Sequence, residues 1–243
     1  MKTGKVFQAG FSLIRRDALL VMLIPAPVLT GAMFRYGLPA LDRWLAASMG
    51  HQEVLPQFGL MLDLMLLILI PYLLNMAAAM IMLEERDEGV SLYMAVSPPG
   101  TGGYLTGRII LPAMAAAVLS AALFTVFRSS NLSLLRAVPI AFLASAASVA
   151  VCMGVTAFAN NKVEGLALMK LGGLSLMGIQ APVFLRGTAQ YLFSPLPSFW
   201  MAKAAMEQNT WPLFLAAGIA VSALWIWLFF RIAGYTASGQ RAW

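Results

Sequence analysis

One cysteine, Cys152, and one histidine, His51, are all that this chain of 243 residues offers for thiolate or imidazole chemistry. A lone cysteine excludes an internal disulfide and a thiolate metal cluster; inside an apolar run, Cys152 reads as a packing residue. A lone histidine leaves an imidazole-built metal site short of ligands. It also leaves no Ser-His or Cys-His pair for nucleophilic catalysis, since His51 falls in a segment between apolar runs. Charge is scarce too. Asp, Glu, Lys and Arg make up 11% of the residues, against about 25% in a soluble globular protein.

What is there instead is oil. Hydrophobic residues are 60% of the chain, and mean hydropathy is +0.81. This is the composition of a polytopic membrane protein, with the length of a single transmembrane domain, residues 1–243. The spans must be helical, because unpaired backbone groups cost several kcal/mol in hydrocarbon. A membrane barrel would need short alternating strands, and these long runs do not alternate. Six runs of about 20 residues match the length that crosses about 30 Å of hydrocarbon. They fall near 17–36, 58–83, 109–127, 137–159, 165–185 and 211–230. Lys170 interrupts the fifth near its start and Arg186 closes it. Arg15, Arg16 and Asp17 precede the first run, and no small-residue cleavage site follows before Arg35, so no cleavable signal peptide is expected.

Net charge is +6. The bases are scattered between apolar runs and form no stripe, so they read as topology signals rather than a nucleic-acid surface. With an even number of spans, both termini lie on one side. If that side is the cytoplasm, the inner segments hold Lys2, Lys5, Arg15, Arg16, Arg86, Arg108, Lys162, Lys170, Arg231 and Arg241. The outer ones hold Arg35, Arg43, Arg128, Arg136, Arg186 and Lys203. The split is ten to six and favours cytoplasmic termini. Residues 4–16 can place Val6, Phe7, Phe11 and Ile14 on one helical face and Lys5, Gln8, Ser12 and Arg15 on the other, the pattern of a helix lying in the inner interface. The external segment 186–211 is rich in aromatics and Pro, with Pro195 and Pro197 bracketing a turn. Its Tyr191, Phe193, Phe199 and Trp200 suit a re-entrant segment before the last span.

Polar detail concentrates in "LEERDEGVSLYMAVSPPGTGGYLTGR", residues 83–108. Glu84, Glu85, Asp87 and Glu88 follow the second span. Val90, Tyr93 and Met94 then fall at helical spacing. Ser97 and Pro98 end that short helix, and Gly100, Gly102 and Gly103 are expected to let the chain reverse into the third span. Gly102 and Gly107 have phosphate-loop spacing, but Arg108 stands where Lys is needed and Ile109 where Ser or Thr should hold magnesium. Glu84-Glu85 matches the acid pair of intramembrane metal-dependent proteases, but Gly89 replaces their Arg. Asp63, an ionisable group inside the second span, is a candidate for substrate or proton handling, or alternatively an acid paired with an Arg such as Arg35. Asn75 and Gln180 are further polar points on a possible substrate path, or interhelical hydrogen bonds.

The order Glu84, Glu85, Glu88, Gly89, Leu92, Ser97, Pro98 resembles the first cytoplasmic loop of type-2 ATP-binding-cassette (ABC) permeases. The stretch "FANNKVEGLALMK", residues 158–170, is similar to the second cytoplasmic loop of small drug-exporter permeases of that family, the fluoroquinolone-exporter-permease kind. The resemblance implies six transmembrane helices, an N-terminal interfacial helix, a cytoplasmic coupling helix and an external re-entrant segment, in a bacterial-type inner membrane. It implies that Glu84, Glu85, Asp87, Glu88, Gly89, Tyr93, Ser97 and Pro98, with Asn161, Lys162, Glu164 and Gly165, meet a separate ATPase subunit. ATP and magnesium would then sit on that partner and no cofactor on this chain. A second permease chain would complete the transport path. An ATP-independent carrier or channel is the alternative, and it would need an ionisable relay for which only Asp63 is available. An intramembrane enzyme is a more distant one.

Overall fold

The computed structural model describes residues 25–50, 52–89 and 100–237, and among them every regular element is helical. Helix α1 (Ala26–Ala32) continues through a π turn (Met33–Gly37) into α2 (Leu38–Met49). Helix α3 (Gly59–Asp87) follows a 3-10 turn (Leu55–Phe58). Helix α4 (Gly100–Leu105) runs through a second π turn (Thr106–Ile110) into α5 (Leu111–Phe127), and α6 spans Leu134–Phe158. Helix α7 (Lys162–Gly172), a 3-10 stretch (Gly173–Leu176) and α8 (Met177–Phe184) form one broken rod. After a 3-10 segment (Gly187–Phe193) come α9 (Pro197–Met206) and α10 (Trp211–Ala237).

Among the described residues, five helical stretches are long and apolar enough to cross a membrane: Leu55–Asp87, Gly103–Phe127, Leu134–Phe158, Lys162–Phe184 and Trp211–Ala233. They coincide with the second to sixth expected runs, and the chain is a multi-pass membrane protein. The first expected span, 17–36, lies only partly within the described residues. There the helical path does not stop at 36 but carries on to Met49. The expected interfacial helix, 4–16, lies outside the described residues, as do Tyr93, Ser97 and Pro98.

Prolines shape these helices in a readable way. Each lacks an N–H and its ring collides with the carbonyl four residues earlier. Pro39 and Pro112 each follow a π turn, in which the Leu38 N–H bonds to Met33 and the Leu111 N–H to Thr106, widening the coil just before the ring. Pro71 lies inside α3 and leaves the Leu67 carbonyl without its helical donor; the Ser120 hydroxyl from α5 donates to that oxygen at 2.7 Å. In hydrocarbon such replacement donors are what make an internal proline tolerable. The glycines 100, 102 and 103 correct the sequence reading. They do not form a reversal but lie in the helix that leads into the third span.

Helix α6 is the hub, packed against α3, α5, α9 and α10. Its small residues Ala137, Ala141 and Ala144 bury completely against Leu64, Leu67, Ile68 and Met201, because small side chains let helix backbones approach closely in a bilayer. The segment expected to be external, 186–211, is ordered structure rather than free loop. Phe199, Met201, Ala202 and Ala204 of α9 are fully buried. Trp200 and Trp225 donate their indole N–H groups to the Ser194 and Pro195 carbonyls, both at 2.8 Å, and so pin the turn before α9.

Candidate functional site

The acidic end of α3 and the start of α7 meet at one end of the bundle. Helix α3 runs past the expected boundary at 83 to Asp87 and closes on Gly89, which takes φ +73°, a conformation open to glycine. The Gly89 N–H bonds back to the Arg86 carbonyl at 3.0 Å, one of the bonds of a Schellman-type end. Opposite it, Asn161 caps α7. Its side-chain oxygen accepts from the Glu164 N–H at 2.9 Å, while Glu164 reaches back to the Asn160 N–H at 2.8 Å. This is a capping-box arrangement shifted by one residue.

The two ends are tied together. Lys162 Nζ lies 3.1 Å from Glu84 Oε2, and the Lys162 N–H donates to Asp87 Oδ2 at 3.3 Å. Gly165 presses on Leu83 so closely that a Cβ there would collide with the Leu83 side chain. Arg86 turns under the end of α6 and donates to the Thr156 and Ala159 carbonyls at 2.9 and 3.0 Å, supplying one cation to a helix C-terminus. Asp87 and Glu88 are exposed and Glu84 half-buried. This end of the chain therefore presents a fixed acidic surface on two braced helix ends.

Glu85 behaves differently from its neighbours. It is 4% exposed and faces Arg108, which is 3% exposed, across a bidentate ion pair. Tyr104 Oη donates to the same carboxylate at 2.9 Å. The sequence grouped Glu85 with the surface carboxylates; the structure places it inside, joining the end of α3 to the π turn before α5. Tyr104 and Arg108 carry this construction; Arg108 was read only as a topology charge and a misfit in a phosphate loop, and Tyr104 was not singled out. The usable signal was an acid at one end of a loop and a base at the other.

The three polar residues assigned to a substrate path are not brought together. Asp63 is 2% exposed and accepts from the Ser129 N–H at 2.7 Å, the Ser130 N–H at 2.8 Å and the Ser130 hydroxyl. It caps the α5–α6 connection, so the alternative pairing with Arg35 is replaced by backbone donors. Asn75 is fully buried and donates to the Pro71 carbonyl at 3.0 Å and to Ser148 Oγ at 2.7 Å, an interhelical bond between α3 and α6. Gln180 is half-buried on α8. Among the described residues, no group of three or more His, Cys, Asp or Glu could hold a metal ion.

Comparison with known proteins adds a family to this geometry. Residues 11–230 match the model of a family described as "Fluoroquinolones export permease protein Rv2686c-like". Two curated relatives, the fluoroquinolones export permease proteins MT2760 and Rv2686c of two Mycobacterium tuberculosis strains, are each 27% identical over 223 residues. The match covers 89% of this chain and 87% of theirs. No solved structure matches the chain.

Proposed function

The chain belongs to the Rv2686c-like family of fluoroquinolones export permeases, and from that premise we propose that it is the membrane subunit of an ABC exporter. It moves an amphipathic or hydrophobic substrate outward while a separate subunit hydrolyses ATP. The observation that supports this beyond the family is the meeting of two helix ends, Glu84–Gly89 and Asn161–Gly165, on one acidic surface. A detachable ATPase would seat there. Glu84, Asp87 and Glu88 supply charge at the rim, and the segment bearing Tyr93, Ser97 and Pro98 supplies the anchor; interfaces place aromatics centrally and charges at their edge. Glu85 has a different task in this scheme. It binds the base of the loop to the third span through Arg108, so that a push on the loop moves both spans.

On this reading residues 84–107 and both termini face the cytoplasm of a bacterial-type cell, and α9 with its preceding 3-10 segment is the external re-entrant element. ATP and magnesium belong to the partner, and two permease chains enclose the path. The alternative of an ATP-independent carrier loses support because Asp63, its one candidate relay, is occupied with a loop.

The test is assembly and turnover. Tyr93→Ala should weaken co-purification with the ATPase by about 1–3 kcal/mol if the ring is a buried anchor. Glu88→Lys should weaken it more in low salt than in high salt, because rim charges are screened. Both variants assembling and exporting like the parent in liposomes would remove the coupling role. Labelling of a cysteine placed at Ser91 only from outside would reverse the topology, whereas labelling at Gln52 and Gln208 from outside supports it.

A further inference from the structure

A cavity of about 230 Å³ lies between the broken rod α7–α8 and helix α10. Tyr72 of α3 and Val151 of α6 line it from behind, with Gly172 on one side, Trp225 and Phe229 on the other, and Pro197 at one end. None of its lining residues is charged, and neither Asp63, Asn75 nor Gln180 is among them. A dry apolar cavity of about 150 Å³ is enough to hold benzene, so this space takes a fused two-ring system.

Its aromatic wall is fixed before any ligand arrives. Trp225 and Phe229 lie at 5.3 Å and 25° from parallel, and Phe158 holds Phe229 edge-on at 5.9 Å and 83°. The Trp225 indole N–H is tied to the Pro195 carbonyl at 2.8 Å, which sets the plane of the ring. A rigid flat wall favours a planar ring stacked on it, and prior ordering lowers the cost of binding. A flexible acyl chain gains little from such a wall. The cavity surface is almost wholly apolar, because the Ser148 and Ser198 hydroxyls beside it already donate to the Ser145 and Ser175 carbonyls. The opposite wall is the place where the fifth span changes from α to 3-10 helix, at Gly172 and Gly173. A side chain at Gly172 would collide with Tyr72 Oη and Val151, so glycine there is what brings α7 against the back of the cavity.

We infer that this cleft, formed within one chain between the fifth and sixth spans, holds the planar aromatic ring system of the exported molecule. The inference rests on the export reading above, and it locates the substrate away from the polar residues that the sequence pointed to.

The experiment uses the full-length permease in nanodiscs, alone and with its ATPase, and a fluorescent fluoroquinolone as probe. Val151→Phe fills the cavity, and Trp225→Leu keeps it apolar but removes the flat wall. Each should raise the probe's Kd at least tenfold on the permease alone, without ATP, while assembly with the ATPase stays at the parent level; Trp225→Leu also loses its bond to the Pro195 carbonyl and should melt lower. Should a variant fail to fold, a diazirine derivative of the probe on the parent protein decides. Crosslinks within 147–158 or 225–229 support the site, and crosslinks elsewhere overturn it. Loss of binding in Val151→Phe but not in Trp225→Leu marks a general apolar or acyl-chain slot and overturns the aromatic assignment. Export at the parental KM in both variants sinks the site and leaves the export reading intact. Probe binding that both variants lose, in a complex that shows no ATP-driven export, keeps the site and removes the export reading.

Discussion

Helix α3 buries one acid near each end, and the two are satisfied by different kinds of partner. Asp63 accepts from two backbone N–H groups and a hydroxyl of the α5–α6 connection. Glu85 accepts from a guanidinium and a phenol on the path into α5. Backbone donors are neutral and held by the chain's own geometry, so Asp63 freezes a loop. Arg108 brings a full charge on a flexible stem from the π turn before α5, so Glu85 ties two spans by a side-chain ion pair rather than by a loop's backbone. A buried pair of this kind is weak support for stability as such, but it is costly to halve.

The comparison can be broken first at Glu85. Glu85→Ala strips Arg108 of the carboxylate that balances it, and breaking a buried pair costs about 3–5 kcal/mol. Denaturant unfolding in detergent should show this as the largest loss of the set. A loss below about 1 kcal/mol would mean that water or another acceptor already serves Arg108. Asp63→Asn comes next. It exchanges charge-assisted acceptors for an amide facing N–H donors, with an expected loss of about 1.5–3 kcal/mol for a hydrogen bond to a charged group. Proteolysis in the Ser129–Leu132 connection should rise with it, whereas Glu85→Ala should leave that loop intact. If both variants loosen the same loop, the two ends of α3 are not independent.

Gly165→Ala sharpens the contrast at the Glu85 end, because its new methyl group meets Leu83. Overpacking costs about 1–3 kcal/mol, read as a lower melting temperature together with weaker ATPase binding. The smallest effect belongs to Lys162→Ala. Its pair with Glu84 is partly exposed, at 29% and 30% for the two side chains, and such pairs contribute about 0–1 kcal/mol and fade with salt. A larger, salt-independent loss would place that pair with Glu85 rather than with the surface acids.

The spans were legible because hydropathy over some twenty residues is a property of the sequence alone; the second to sixth runs each fall on a helix within a few residues. The direction of single side chains was not. Glu84 and Glu85 are neighbours of the same type, and nothing local says that one meets Lys162 and the other Arg108. Arg108 was visible only as the wrong residue in a phosphate loop and as a positive charge near a membrane surface. The glycines after Pro99 were read as a turn because composition marks loops, yet glycine can be helical when the spans on either side set the path. Asp63 was recognised as buried, but its partners lie 66 and 67 residues away. The apolar cleft left no trace in the sequence beyond aromatic residues, which also fit simple packing.

That separation at Asp63 has a consequence in time as well as in space. The carboxylate reaches the bilayer during synthesis before its donors exist. At about 5–20 residues per second, the 66 residues up to Ser129 take roughly 3–13 s to follow. Through that interval the second span is an apolar segment whose one buried acid near its start still lacks its donors. Stable release into lipid is then expected to follow the arrival of the third span and the turn that carries Ser129 and Ser130. One side chain thus links α3 to α5 in the order of synthesis as well as in the finished fold.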